Sequence, residues 1–534
     1  MILEIAQEQE NQLKVYDLGG KLLETFNLKD NLQRALRLLR QLNSIQTIDG
    51  VPIYKTRMFN GISVWSFHQN VIFWNFLVPG VRYEETLRFL LDRQVEKVTI
   101  DSHSAGLTEY LRINGIEVAS NSTGASPLLS SFLSRMNWII GIIFTLMAFL
   151  KLLIRRPALL IYTPDRFSPE QGCDFRFYPV YEYIRERGIH YIEIFHTLLG
   201  REFLENIAKR KRLALYLECL PVFPAKSNNI GNDCDLSAID PHNRKYFRYL
   251  LKMIDQSSQT SIKRIQILTR LLKFTKVKAL LTIDDVRYTN ELIVACRLNG
   301  IKAYGFQHGH YTKYHAGWIN YDIPKALSVT FDKLFVWNEY WKRVLLAYST
   351  QYDESNVEIS GALRELEPIR YQRKESKVER LSDLSILVPY ETFAPKAEVG
   401  EYIDRFIEQG IQVSFKVRPD LPPKSQLAQY RVEHTDKVRP VEYIDEDLLS
   451  KIDAVAGTYS TFLNEMLFYE KPVLLLETSL DLGYQLVDDD LALAINQNSD
   501  ASLLLNYINN YTSKKAQAWP PTDIKLGETL HKIV

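Results

Sequence analysis

Cysteine is scarce. The 534-residue chain has four, Cys173, Cys219, Cys234 and Cys296, none in a Cys-x-x-Cys pair or at Cys/His metal-ligand spacing, so neither a disulfide framework nor a zinc module is expected and a reducing compartment is. Net charge is nearly absent too: 65 Lys and Arg against 64 Asp and Glu leave +1, which gives no global field for nucleic acid. No Gly-x-Gly-x-x-Gly, Walker loop or Gly-x-Ser-x-Gly stands where a strand-to-helix context would support it. The opening MILEIAQEQENQ has no basic stretch and no long apolar run, so it does not read as a secretory signal. What is present describes a folded globular chain: 46% hydrophobic and 24% charged residues. The 30 Tyr and 25 Phe suit sugar or interface contacts, and the length calls for two or three domains.

Residues 1–125 read as a small α/β unit. LKVYDLGGKLLETF has the alternation and central Gly-Gly of a hairpin, and helix-like and strand-like stretches alternate from Glu84 to Ser120. Ile62 to Phe76 is so aromatic that period alone does not decide between strand and buried helix. Residues 126–156 hold the most apolar run, WIIGIIFTLMAFL from Trp138 to Leu150, with Arg135 before it and Lys151, Arg155 and Arg156 after. From Met136 to Ile154 the run has about 19 residues, close to the minimum for crossing a bilayer. It admits a span, a helix lying in one leaflet, or burial. Attachment to the cytoplasmic face of the cell membrane through about 136–154, without a full crossing, is the expectation.

From Pro157 apolar strands and amphipathic helices alternate at the spacing of βαβ units, which implies a parallel sheet covered on both faces. Two such blocks follow one another, 157–364 and 365–534, with the charged span Glu365 to Arg380 as linker. The expected fold class is α/β: two Rossmann-like doubly wound domains facing a cleft, preceded by the N-terminal unit and the membrane-associated segment.

Open parallel sheets bind ligands beyond the carboxyl ends of their strands. In the first block those ends carry Asp165 and Arg166, then Asp284 and Asp285, then Gln307, His308 and His310. In the second they carry Tyr390 and Glu391, then Lys416 and Arg418, then Gly457, Thr458, Ser460 and Thr461, with Glu465 a few residues into the next helix. A helix start rich in small residues and hydroxyls favours an anion such as phosphate, although an ordinary strand–turn–helix capped by Ser460 or Thr461 has the same look. His308, Asp284 and Asp285 are candidate general bases, with Asp165, Arg166, Gln307 and His310 on the acceptor side. A metal site from His308, His310 and His315 lacks a carboxylate pattern, and none is expected.

KVRPD at Lys416–Asp420, AVAGTYSTFLNEMLFYEKPVLLLE and YGFQHG at Tyr304–Gly309 together resemble GT-B glycosyltransferases of bacterial surface polysaccharide synthesis and the related teichoic acid glycerophosphotransferases. The resemblance runs from about Ala158 to Asn496. It implies metal-independent transfer with no cofactor, from a nucleotide-sugar donor to a lipid-linked or glycan acceptor. It places donor phosphate and sugar at Thr458, Ser460, Thr461 and Glu465, and a base at His308. Where those relatives often have His-Pro this chain has Arg418-Pro419, and an arginine holds phosphate but does not titrate. A CDP-polyol phosphotransferase, a sugar-nucleotide epimerase and a non-catalytic scaffold are the other readings.

Overall fold

The computed structural model describes residues 2–9, 12–28, 30–100, 105–120, scattered positions between 139 and 154, 157–163, 167–168, 171–195, 214–217, 220, 233–283, 287–319, 321–363, 366–371, 377–418, 423–520, 522 and 524–533. Three sheets organise them.

The N-terminal sheet contains β1 (Ile2–Gln9), β2 (Gln12–Tyr16), β3 (Leu22–Asn27), β4 (Lys97–Ile100) and β5 (Glu117–Ser120), in the order β3-β2-β1-β4-β5. The expected hairpin is β2–β3, paired antiparallel. Leu13 and Val15 of β2 are fully buried while their neighbours keep some exposure, the alternation of a sheet with one covered face. Helix α1 (Leu32–Ser44) buries Leu32, Ala35, Leu39 and Leu42 against that face. The aromatic stretch 62–76 is neither a plain strand nor a plain helix. It begins as a two-residue strand and passes through 3-10, α and π turns, with Trp65, Phe67 and Phe73 buried.

The first Rossmann-like sheet has seven strands, β6 (Leu159–Tyr162), β7 (Tyr191–Phe195), β8 (Ala214–Tyr216), β9 (Ala279–Thr282), β10 (Lys302–Phe306), β11 (Lys333–Val336) and β12 (Val357–Ile359). The second has six, β13 (Ser385–Pro389), β14 (Gln412–Lys416), β15 (Val438–Val441), β16 (Ala454–Gly457), β17 (Val473–Leu476) and β18 (Leu493–Ile495). Their orders are β8-β7-β6-β9-β10-β11-β12 and β15-β14-β13-β16-β17-β18, and every pairing is parallel. Counted within each sheet, both begin 3-2-1-4-5-6, the doubly wound Rossmann order. The central strands LLIY, ALLT, AVAG and VLLL are buried at every position. Strands covered on both faces have no solvent side and read as unbroken apolar runs.

Two helices tie the units together. The 29-residue α2 (Arg244–Leu272) gives Tyr246, Phe247, Leu250, Leu251 and Ile254 to the N-terminal core, and Ile265, Leu268 and Leu272 to the first Rossmann core. Near its middle the buried Asp255 meets Arg57 of the N-terminal unit at 2.5 Å. The last helix of the chain comes back to the first Rossmann-like domain, where its Leu526 and Leu530 pack with Leu159, Ile161 and Tyr181. On the inner side, Leu387, Val455, Leu463 and Met466 of the second domain belong to one apolar cluster with Leu160, Leu280 and Trp341 of the first. The two domains therefore share one buried apolar cluster.

The 136–154 run was expected to attach without a full crossing, and among the described residues no helix is long and apolar enough to cross a membrane. The described positions between 139 and 154 are helical.

Candidate functional site

The second sheet's switch point lies between β13 and β16, where helices on opposite faces leave a crevice at the carboxyl ends. Strand β16 ends at Gly457, and the turn that follows leads into helix α3 (Thr461–Phe468). Ser460 is the N-cap, its hydroxyl accepting from the Phe462 N–H at 3.2 Å, as a serine at that place should.

The turn's other donors already hold an anion. Glu391, just after β13, is buried and lies against it. Glu391 Oε2 accepts from the Thr458 N–H and hydroxyl at 2.8 and 2.6 Å, and Oε1 accepts from the N–H groups of Tyr459 and Ser460 at 3.0 and 2.7 Å. Gly457 permits this approach: a Cβ there would lie 3.0 Å from Leu463 and 3.1 Å from Glu391 Oε1. Burial raises the carboxyl pKa, and the hydrogen bonds from Thr458, Tyr459 and Ser460 pull it back without cancelling the rise. The anion-binding nest at residues 458–460 is thus real, and a side chain of the protein fills it. Those three backbone donors do not face a vacant phosphate cradle. What this helix start leaves for a ligand is side-chain chemistry.

Arg418 and Lys416 stand at the end of β14, the next strand over. Arg418 Nη1 donates to the Thr392 hydroxyl at 2.5 Å, its guanidinium lies 5.9 Å from the Tyr390 ring centre, and its N–H donates to Gln426 Oε1 at 2.8 Å. Lys416 Nζ donates to the Val417 carbonyl at 2.8 Å. Tyr390, Glu391, Thr392, Arg418 and the 457–461 turn form one connected group, as the strand ends implied. Beside it Phe393 is 65% exposed; its N–H donates to the Tyr459 hydroxyl at 2.7 Å and the two rings are 6.2 Å apart.

The first domain faces this group with the loop after β10. Gln307, placed on the acceptor side by sequence, is buried and holds the loop itself. Its Nε2 donates to the Gly309 carbonyl at 2.9 Å, its Oε1 accepts from the Trp337 N–H at 3.0 Å, and its carbonyl accepts from Trp337 Nε1 at 2.8 Å. His308 is half-buried on the same loop. A Cβ on Gly309 would come 3.8 Å from the Thr461 methyl, so the loop touches the start of α3. His310 crosses the cleft: its Nε2 lies 2.7 Å from Asn464 Nδ2. With the amide as placed Nδ2 donates, Nε2 accepts, and the neutral ring keeps its proton on Nδ1. The ring stacks on Trp341 at 5.0 Å, and burial lowers its pKa to about 3. His310 is therefore a neutral strut rather than a proton shuttle. Glu465, half-buried, is four residues beyond Thr461 on α3 and shares its side of the helix.

The structure thus brings His310 and Gly309 up to Asn464 and Thr461 across the cleft, with His308 next to them in the same loop and Arg418 and Glu391 on the second-domain wall. Asp165, Arg166, Asp284 and Asp285 lie outside the described residues. Among the described residues no group of three or more His, Cys, Asp or Glu side chains could hold a metal ion. Sequence reasoning noted Glu391 as a strand-end acid without giving it a role, and missed Asn464 and Phe393. A glycine ending one strand and an acid just beyond the end of its neighbour mark Glu391 by position, but not by role.

Fold and site define a class: a two-domain Rossmann-like α/β protein whose polar site lies between the carboxyl edges of its sheets. No family model and no curated protein matches the chain. Among solved structures it is similar to Acinetobacter baumannii MurG, at 12% identity over 71% of this chain and 99% of that one, with a TM-score of 0.41. The calicheamicin glycosyltransferase CalG4 gives 12% identity, 71% and 97% coverage and 0.39. A UDP-GlcNAc 2-epimerase from Neisseria meningitidis, solved with UDP-GlcNAc, gives 16%, 70% and 98%, and 0.36. With TM-scores below 0.5, these likenesses carry no functional argument.

Proposed function

We propose that this protein is a glycosyltransferase that moves a sugar from a nucleotide-activated donor to a lipid-linked or polysaccharide acceptor. The observation that carries the reading is the meeting of the His308–His310 loop with the start of α3, beside Arg418, in one interdomain cleft. In this reading His308 takes the proton from the acceptor hydroxyl. Because Glu391 fills the 458–460 turn, charge on the leaving nucleotide falls to Arg418 and Lys416, helped by the hydroxyls of Ser460 and Thr461. Glu391 keeps that turn in shape, so these groups are pre-aimed. Glu465 accepts from sugar hydroxyls, and the exposed Phe393 gives a nucleotide base a face to stack on. Gln307 and His310 position the loop. We place the reaction on the cytoplasmic face of the cell membrane and expect it to need neither metal nor cofactor.

The test is a thermal-shift panel of UDP-, GDP-, CMP- and CDP-linked donors, followed by transfer assays with the donor that stabilises. A shift with one nucleotide class names the donor, and turnover undiminished in EDTA is expected. No shift across the panel overturns the reading. A shift with CDP-glycerol or CDP-ribitol alone converts it to polyol-phosphate transfer.

A further inference from the structure

The described helical positions between 139 and 154 have an unusual second face. Ile139, Ile143, Leu146, Met147, Leu150 and Ile154 are 54, 51, 56, 46, 57 and 78% exposed. Their spacing of 4, 3, 1, 3 and 4 puts all six within an arc of about 100° on an α-helix. The opposite side is attached to the molecule. Leu152 is buried in the first Rossmann core, Phe149 packs against it and Thr145 is buried. A segment apolar both toward the core and toward solvent lacks the polar outer face of a surface helix, and the six side chains form a patch on the order of several hundred Å².

Charge identifies what covers it. From Val118 to Pro164 the sequence contains Arg135, Lys151, Arg155 and Arg156 and no acidic residue. A second copy placed face to face would bring two such basic segments together without acidic partners. An anionic bilayer complements both the apolar stripe and the basic flanks. At the α-helical rise the described positions from 139 to 154 extend over about 24 Å, short of the ~30 Å hydrocarbon core, and the buried Leu152 and Thr145 fix them to the domain.

We infer that this face is a monotopic docking surface which lies in the headgroup–acyl boundary of an anionic membrane leaflet. It deepens the lipid-acceptor part of the function proposed above, since it would hold the cleft near the membrane, but the docking does not depend on the chemistry. The experiment is flotation of the full chain with phosphatidylcholine vesicles, with and without phosphatidylglycerol. The protein should float with the anionic vesicles, less so at high salt, and Leu146→Glu with Leu150→Glu should cut the bound fraction about tenfold. Both positions face solvent, so an unchanged melting temperature for the double variant shows that its fold is intact. Failure of the wild type to float, equal flotation of the variant, or a dimer in detergent-free buffer that the same two substitutions dissociate would overturn the inference. Donor thermal shifts, measured on the same preparations, report separately on the glycosyltransferase reading.

Discussion

The two walls of the cleft are built on different principles. The second-domain wall is knitted from within: one buried carboxylate accepts four hydrogen bonds from a single turn, and Arg418 is tied to the adjacent Thr392. The first-domain wall is a loop braced from outside by Trp337, through Gln307, and by Trp341, with one hydrogen bond across the gap that His310 accepts from Asn464. A pre-built wall suits a ligand whose charge must be met without rearrangement. A braced loop suits a group that has to approach a second substrate.

The largest expected effect tests the loop. His308→Ala should lower turnover about 10² to 10⁴-fold, the usual range for a general base, while the thermal shift with saturating donor stays as in the wild type. Unchanged turnover removes His308 from the chemistry, and lost donor binding shows that the two walls are not separable.

On the other wall Glu391→Ala strips the partner from three backbone N–H groups and a hydroxyl in a buried turn. Unsatisfied buried donors cost about 1–3 kcal/mol each, with water and relaxation recovering part, so a loss of about 3 kcal/mol in urea denaturation is expected, with donor affinity falling. A variant as stable as the wild type would mean that water replaces the carboxylate. The nest would then be open to phosphate after all.

The contact between the walls is expected to respond to pH. Burial holds His310 near pKa 3, below the ordinary histidine value of about 6.5, so the folded state favours the neutral ring. A depressed pKa contributes stability in full above the unfolded value and loses it as pH falls toward the folded one. Between pH 7.5 and 5 the loss should reach about 1–2 kcal/mol, and His310→Asn should flatten that part of the stability curve. An identical slope in the variant would assign the acid sensitivity elsewhere.

The sequence showed both Rossmann-like domains because parallel strands covered on both faces, such as LLIY and VLLL, stay apolar throughout. The strand orders were not readable, since hydrophobic period says nothing about which strands pair. The site was legible to the extent that it sits at strand ends. His308, Arg418 and the Gly457–Thr461 turn could be marked by position alone. Glu391 could not be given its role, because its partners are 67 to 69 residues away and local sequence does not distinguish a carboxylate that binds from one that fills a nest. Asn464, 154 residues from His310, was hidden for the same reason.

The smallest effect separates ligand contact from scaffold on the knitted wall. Phe393 is 65% exposed, so Phe393→Ala should leave stability within about 0.5 kcal/mol, as surface substitutions do. Its hydrogen bond to the Tyr459 hydroxyl comes from the backbone N–H and survives the change. If a nucleotide base stacks on the ring, donor affinity should drop about fivefold, the low end for losing one base–aromatic stack, with turnover at saturating donor unaltered. Titration of the thermal shift against donor concentration measures this directly. A lower melting temperature would make Phe393 part of the wall, while an unchanged affinity would put the base elsewhere and leave Arg418 as the wall's principal ligand contact.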